Sequence, residues 1–495
     1  MKYLFIDDHH IEEIDNLARI LHQPRKFGAV LRPEHGWENI RIGTRSAPIW
    51  DPIEKVYKLV YKAEAEPVDL SASDLFKDSV SAPKRSQSHY CYAISTNGVD
   101  WEKPFLDLHE YDGVSWDGKP ILSQNNIIPN GTDAVRDPND PDPNRRYKGQ
   151  QHSDDTRSKK KKFAVSPDLF NWTWLDVPSI PKGGHSTLVY DEGNKLFIIT
   201  VKRRGPYGRS VCLTTSTDFV NWSEAELIFH ADQVDQEHGR ERLARFYDDS
   251  SYLAPVSNRI EEYKTDIYEL PVFPYEGMYI GMPTMFHHSG KTPPLYENVC
   301  GRKTVELVCS RDLRDWERVA GRKPFFELSP IGDGSAYDTA QLRPTNRPIV
   351  RNNELWFYYG ASKHRGITQA SALSRDYLDG GAICMAKLRL DGFCSLKGGV
   401  EPGSVLTAPV EVSQNELHIN VDSWRGHVRA EVLDVSDGRP VPGYSMEESI
   451  PVVVDQVDES IRWKHKSDLS QLVGKVVRIR FSLLRAELYA FWFGG

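Results

Sequence analysis

The chain has 495 residues, of which 39% are hydrophobic and 27% charged, and carries a formal net charge of -8. That length exceeds one compact core and predicts two domains, and the composition is that of an ordinary soluble globular protein. The acidic balance argues against nucleic acid or an anionic membrane as a main partner, and no stretch approaches the roughly 18 apolar residues of a membrane span.

Met1 to His10 includes Asp7 and Asp8 and has no apolar leader core, so no signal peptide is expected and the cytoplasm is the expected compartment. The six cysteines, at positions 91, 212, 300, 309, 384 and 394, show neither CxxC nor metal-type spacing. They read as buried free thiols, and no metal or cofactor is expected. The pattern over 11–23 predicts one short amphipathic helix in an N-terminal segment of residues 1–39.

From residue 40 the pattern is strand, turn, strand. A seven-residue turn recurs four times: Ser95-Thr-Asn-Gly-Val-Asp-Trp101, Ser166-Pro-Asp-Leu-Phe-Asn-Trp172, Ser216-Thr-Asp-Phe-Val-Asn-Trp222 and Ser310-Arg-Asp-Leu-Arg-Asp-Trp316. Each copy follows an alternating apolar run, as a half-buried strand does. The Ser, Asp and Asn side chains suit a turn because they bond nearby backbone, and the Trp anchors the exit. A second recurrence, strand–polar turn–strand, lies upstream of each copy and recurs in a fifth unit, as in Ser46-Ala-Pro-Ile-Trp-Asp51 before Val56 and in Arg347-Pro-Ile-Val-Arg-Asn-Asn353 before Leu355. The last unit lacks the Ser…Trp turn and closes on Ile383 to Leu390. Five such units over 40–400 predict a five-bladed β-propeller, with a repetitive sandwich array as the alternative. The pattern stops near Pro402, and residues 405–495 read as a separate β-sandwich. The predicted fold class is therefore all-β.

The Ser-x-Asp-Leu-x-x-Trp turns, the Arg136-Asp137-Pro138 triplet and the propeller-plus-sandwich layout resemble the five-bladed propeller glycoside hydrolases of families 32 and 43. Tyr268-Glu-Leu-Pro-Val-Phe-Pro-Tyr-Glu-Gly-Met-Tyr-Ile-Gly281 and Leu388-Arg-Leu-Asp-Gly-Phe393 are closest in style to poorly characterised bacterial family 32-like proteins. Family 32 enzymes carry their nucleophile in a Trp-x-Asn-Asp-Pro segment, and this chain departs from it with Trp50-Asp51-Pro52. Asp51 and Asp137 both fall on hairpin turns, where Asp followed by Pro has an ordinary structural use.

The resemblance implies functional carboxylates at the starts of the innermost strands. That places Glu38, Trp37 and Arg41 in blade one, Asp133 in blade two and His185 in blade three. Blade four supplies Asp266, Tyr268 and Glu269, and blade five Tyr337, Asp338 and Arg343. Glycoside hydrolysis needs one carboxyl group as acid and a second as nucleophile or base, and a third can modulate the acid. Glu269 and Asp266 are the candidate acid and its modulator, Asp133 and Glu38 compete as nucleophile or base, and Asp338 is a further catalytic candidate. Arg41, His185 and Arg343 would bind sugar hydroxyls or an acidic group, and Trp37, Tyr268 and Tyr337 are candidate stacking platforms, with buried packing between blades as the alternative.

Gly239 to Arg245 reads as a solvated turn of helix, with a rim element binding an anionic sugar as the alternative, and Lys159 to Lys162 as a solvated loop. The sequons at Asn130, Asn171 and Asn221 are read as structural, two of them lying inside the repeated turn. The expected partner is an oligosaccharide or glycoside, and the expected activity is hydrolysis of a terminal fructofuranosyl or arabinofuranosyl group. A propeller phosphorylase and a non-catalytic sugar-binding propeller are the alternatives.

Overall fold

The computed structural model describes residues 1–65, 87–109, 113–114, 120–121, 124–152, 161–177, 186–293, 296–365 and 378–495. The chain builds five antiparallel blades in order. In blade one the inner strand is interrupted, as Arg41–Gly43 and Ile49–Asp51, and is followed by Val56–Ala65, Gln87–Ser95 and Ile127–Ile128. Blade two is Asp133–Arg136, Tyr147–His152, Lys161–Ser166 and Thr173–Trp174. Blade three is Ser186–Asp191, Leu196–Gly205, Gly208–Ser216 and Glu226–Phe229.

Blade four is bent at Leu270 and Pro271. Its inner strand runs as Lys264–Glu269 then Val272–Tyr275, its second as Met278–Gly281 then Thr284–Thr292, and its third as Tyr296–Val305 then Val308–Ser310, with Glu317–Arg318 outside. Blade five takes Gln341–Pro344 with Ile349–Arg351, then Glu354–Ser362 and Gly381–Arg389. Its fourth strand is Arg25–Leu31, from the other end of the chain. Each blade touches the next and the fifth touches the first, so the ring closes. Strands such as Ser186–Asp191 are buried along their whole length, and a blade whose two faces are both apolar is stable only between neighbours.

The repeated turn has one geometry. In blade two, Ser166 Oγ accepts the Asp168 and Leu169 amides, and Asp168 Oδ1 accepts those of Phe170 and Asn171 at 2.9 and 2.8 Å. The fourth position takes positive φ in all four copies: Gly98 at 80°, Leu169 at 75°, Phe219 at 63° and Leu313 at 68°. Leu and Phe tolerate that strain because their side chains are buried and the Ser hydroxyl holds their amide. Gly98 is glycine for a local reason, since a Cβ there would meet the Tyr358 hydroxyl of blade five at 2.9 Å. The exit Trp wedges between blades, as Trp222 stacks on Phe163 of blade two at 4.9 Å. Asn171 and Asn221 each bond their own turn aspartate, the structural use read from the sequence. Asp168→Ala leaves two turn amides without their carboxylate acceptor and is expected to cost about 1–3 kcal/mol. Chemical denaturation measures this, with the exposed Thr217→Ala of the blade-three turn as control.

The N-terminal helix expected over 11–23 is absent. Asn16 turns the chain at φ 50°, and Ile11–Asp15 and Leu17–Leu21 are strands paired with Gly403–Thr407 and Cys394–Gly398. Two sheet edges awaiting partners outweigh a weak helical period. Residues 1–31 therefore enter both sheets of the C-terminal sandwich and then blade five, instead of leading into blade one through a helix.

The segment 239–245 differs from expectation on one face only. It is helical, as expected, within the longer helix Gln233–Asp248 capped by Asp232; Arg240, Glu241, Ala244 and Arg245 are exposed, while the other face is docked by charge pairs. Arg242 pairs with buried Glu306 at 2.8 Å, and Arg318 joins Glu306 to Asp235. Gly239 permits this docking, because a Cβ there would meet Thr265 Oγ1 at 1.9 Å. Lys161 and Lys162 open a strand, while 159 and 160 lie outside the described residues. All six cysteines are buried free thiols, as expected.

Buried His287 sits between the hydroxyls of Thr265 and Thr304, and burial, then the Arg242 charge, hold its imidazole well below the ordinary 6.5. The unfolded chain takes up a proton there that the folded chain refuses. Stability is therefore present above pH 6.5 and falls as pH drops below it, by up to about 1.4 kcal/mol per pH unit for one such site. Melting temperatures from pH 7.5 to 5 should show this decline, with a shallower slope in His287→Asn.

Candidate active site

Hydrogen bonds between blades set the rows of residues around the axis. The Ala134 amide donates to Ser46 Oγ, the Ala47 amide to Asn346 Oδ1, and Asn346 Nδ2 to the Leu188 carbonyl. Thr200 Oγ1 donates to the Leu270 carbonyl. Asn346 thus ties blade five to blades one and three and floors the centre of the ring. One row nearer the strand starts stand Arg45, Asp133, Ser186, Glu269 and Arg343.

Glu269 is 3% exposed, and neither carboxylate oxygen has a hydrogen-bond partner among the described residues. Its charge is compensated through space, because Arg45, Lys202, Lys303 and Arg343 all feel it. Asp133 stands 3.9 Å from Arg45 Nη1. Burial lowers Arg45, but Asp133 and Glu269 outweigh it and the guanidinium is held above its ordinary value. Tyr268 is half-buried, with the Lys303 ammonium 3.1 Å from its ring centre and Lys202 at 4.4 Å.

Asp266 occupies the same inner strand, three residues before Glu269. It accepts the Arg209 amide at 3.1 Å and the Arg209 guanidinium at 2.9 Å, and His288 Nε2 stands 3.2 Å from its other oxygen. Burial would raise the Asp266 carboxyl, yet His288 and then Arg209 outweigh it and hold it below the usual carboxylate range. A group held that way is an ionised acceptor, not a proton donor, near neutral pH.

The other sequence candidates are distributed differently. Arg41 is exposed and forks onto Glu64 at 2.9 Å through two nitrogens. Glu38 is fully buried but lies apart from Glu269, taking hydrogen bonds from Tyr61 at 2.8 Å and Lys103 at 2.5 Å. Trp37 is core, stacked on His35 and bonded to Asn126, so it offers no platform. Asp338 pairs with Lys26 of the N-terminal strand at 2.6 Å, across the face of blade five. Tyr337 is buried and donates to Asp379, beneath Lys363. His185 lies outside the described residues. Glu38, Asp338, Trp37 and Tyr337 are thus engaged away from the axial row, and none of them lies in a strand: Trp37 and Glu38 belong to the short helix Gly36–Glu38, and Tyr337 and Asp338 to the turns that precede Gln341.

Asp51 and Asp137 are turn residues, as expected. Asp51 takes the Ile53 and Glu54 amides and Lys58, and Asp137 takes the Asn139 amide and Lys148. They line a cavity of about 250 Å³ with Arg136, Pro138 and Arg146, at the turn ends of the strands and away from Glu269. Two groups of potential metal ligands occur among the described residues, Asp7–Cys309–Glu317 and Glu34–His35–Glu38, and neither includes a residue of the axial row.

Sequence reasoning missed Arg45, Lys202, Arg209, His288 and Lys303. One signal was present for Lys202, which follows directly on the apolar run Leu196–Val201 of its strand, whereas Lys303 sits among polar residues and gave none.

No protein-family model and no curated protein matches the sequence. Among solved structures, the chain is similar to a β-1,2-mannobiose phosphorylase from Listeria innocua, at 12% identity and TM-score 0.42, over 76% of this chain and 98% of that one. It is similar to a family 32 β-fructofuranosidase from Bombyx mori, at 12% identity and TM-score 0.39, over 94% and 93%. An exo-β-1,3-galactanase from Phanerochaete chrysosporium is similar at 10% identity and TM-score 0.35, over 94% and 99%. Likeness at this level concerns the fold, and the functional reading rests on the site itself.

Proposed function

We propose that this protein cleaves glycosidic bonds at the centre of the propeller, with Glu269 transferring the proton to or from the glycosidic oxygen. The observation that carries this reading is a buried carboxylate at the ring centre with both oxygens free of hydrogen-bond partners among the described residues. Burying such a group without partners is costly and is characteristic of a site kept ready for a reacting ligand. Asp133, one blade pair away in the same row, is the second carboxylate, acting as nucleophile or as base toward water. Asp266, ionised and paired, positions Arg209 and His288 at the rim. Tyr268 offers the sugar a ring edge beside the acid. The resemblance of the repeated turns to the family 32 and 43 hydrolases supports a terminal furanoside, fructofuranosyl or arabinofuranosyl, as substrate.

The test is release of product from nitrophenyl furanosides and pyranosides, fructans and arabinans, each run beside Glu269→Gln. Furanoside turnover that the variant loses is the expected result. Sugar binding without turnover in the wild type would make the protein a binding propeller. Turnover retained by the variant would remove Glu269 from the mechanism.

A further inference from the structure

The centre of the ring carries a charge opposite to that of the chain. Among the described residues, Arg45, Lys202, Arg209, Lys303, Arg343 and Arg365 converge there, against the carboxylates Asp133, Asp266 and Glu269. Some of this cation is spent. Arg209 is committed to Asp266, Arg45 faces Asp133, and Arg365 donates to the Val299 carbonyl. Three cations are not spent: no side chain or carbonyl of the described residues accepts a hydrogen bond from Lys202, Lys303 or Arg343. Lys303 is the decisive one, being wholly buried with its ammonium on the Tyr268 face and no acceptor among those residues.

Burial, and after it the neighbouring cations, disfavour the charged forms of these groups. Burial, then Arg209, lowers the Lys202 ammonium to about 8, and burial, then Arg365 and Arg343, lowers Lys303 well below its ordinary value. Stability alone does not account for this cluster, since Lys303 gives up its hydration for a tyrosine ring face and a carboxylate at a distance, with no hydrogen-bond acceptor among the described residues. Arg343 lies over the bare backbone of Gly43 and Gly360, with its Nη2 within 4 Å of where either would carry a Cβ. Its guanidinium fork can therefore present two donors to a planar or tetrahedral oxyanion.

We infer that Lys202, Lys303 and Arg343 form an oxyanion-binding site beside Glu269, and that the substrate or co-substrate of this enzyme carries a phosphate, sulfate or carboxylate group. The inference rests on the glycoside-cleaving reading of the site. The oxyanion has two sources. It is either free phosphate, which attacks the sugar in place of water, or an acidic substituent of the glycan. In the first case the glycosidic C–O bond breaks, a C–O bond to phosphate forms, and Glu269 gives its proton to the leaving oxygen.

The experiment is calorimetric titration of the full chain at pH 8 with inorganic phosphate, inorganic sulfate and a uronic acid monosaccharide, in two buffers of different ionisation enthalpy. At least one probe should bind once per chain with proton uptake, as the anion restores charge to the lysines. Lys303→Met and Arg343→Met should each weaken it at least tenfold, Glu269→Gln should tighten it several-fold, and exposed Arg314→Met should change nothing. Circular dichroism confirms that each variant is folded. Phosphate binding with a sugar phosphate as product identifies the co-substrate, while preference for the uronic acid, with phosphate-independent release, identifies an acidic glycan. No binding of any probe, or binding unchanged in both Lys303→Met and Arg343→Met, overturns the inference. Cleavage of neutral glycosides that Glu269→Gln abolishes, without oxyanion binding, sinks the oxyanion site and spares the catalytic reading. Oxyanion binding with turnover intact in Glu269→Gln does the reverse.

Discussion

Glu269→Gln is expected to lower kcat by roughly 10²–10⁴-fold, the contribution of a well-placed proton-transfer group. Gln keeps the shape and volume of Glu, so what is lost is the exchangeable proton and the charge. No hydrogen bond of the folded chain is broken by the change, since none is made by either Glu269 oxygen to the described residues. Binding of substrate should therefore survive, and the defect should appear in kcat more than in KM. The neighbouring Asp266→Asn provides the contrast. It removes the charged partner of Arg209 and His288 and should disturb KM as well, because the rim loses its organisation. Steady-state kinetics on the two variants, with the melting temperature as control, checks this. Equal losses in both would mean that Glu269 contributes only charge.

The second large effect concerns the N-terminus. Removing residues 1–31 is expected to abolish cooperative folding, although these residues carry none of the catalytic candidates. Arg25–Leu31 is the outer strand of blade five, and Ile11–Asp15 and Leu17–Leu21 lie in the two sandwich sheets. Leu4, Phe5, Ile6 and Leu31 are buried, each contributing about 1.5–3 kcal/mol. Together they reach the scale of a domain's whole stability, about 5–15 kcal/mol. Charge adds to this: Asp7 pairs with Arg311 at 2.6 Å, and Lys2 with buried Asp391 at 2.7 Å. The shortened chain would also expose the Gly381–Arg389 edge, inviting aggregation. Expression of residues 32–495 should give insoluble protein or a broad melt. A soluble fragment melting as sharply as the full chain would show that the ring closes without its N-terminal strand.

Much of the architecture was legible because it is written locally. The Ser-x-Asp-x-x-Asn/Asp-Trp turn appears in the sequence, and its side chains bond backbone within five residues. Strand alternation is equally local, and so the blades and the all-β class follow from residues read in order. Even the missing turn in the last unit was a true sign, since the chain supplies the fourth strand of that blade from Arg25–Leu31. The helix expected over 11–23 failed because pairing with residues 394–407 lies outside any local window.

The candidate site divides along the same line. Counting along strands points to Glu269, Asp266, Asp133 and Arg343, and the ring brings these together near Arg45 and Lys202. Glu38 and Asp338 met the same count and face elsewhere, one toward Tyr61 and Lys103, the other toward Lys26. By itself the sequence determined the repeating unit and the order of strands within the units that carry the repeated turn. Only the tertiary structure decided which residues near the strand starts meet the axis, and that blades three, four and five bring Lys202, Lys303 and Arg343 to one carboxylate. Charges drawn from separate blades interact through space and leave no trace in the spacing of residues along the chain.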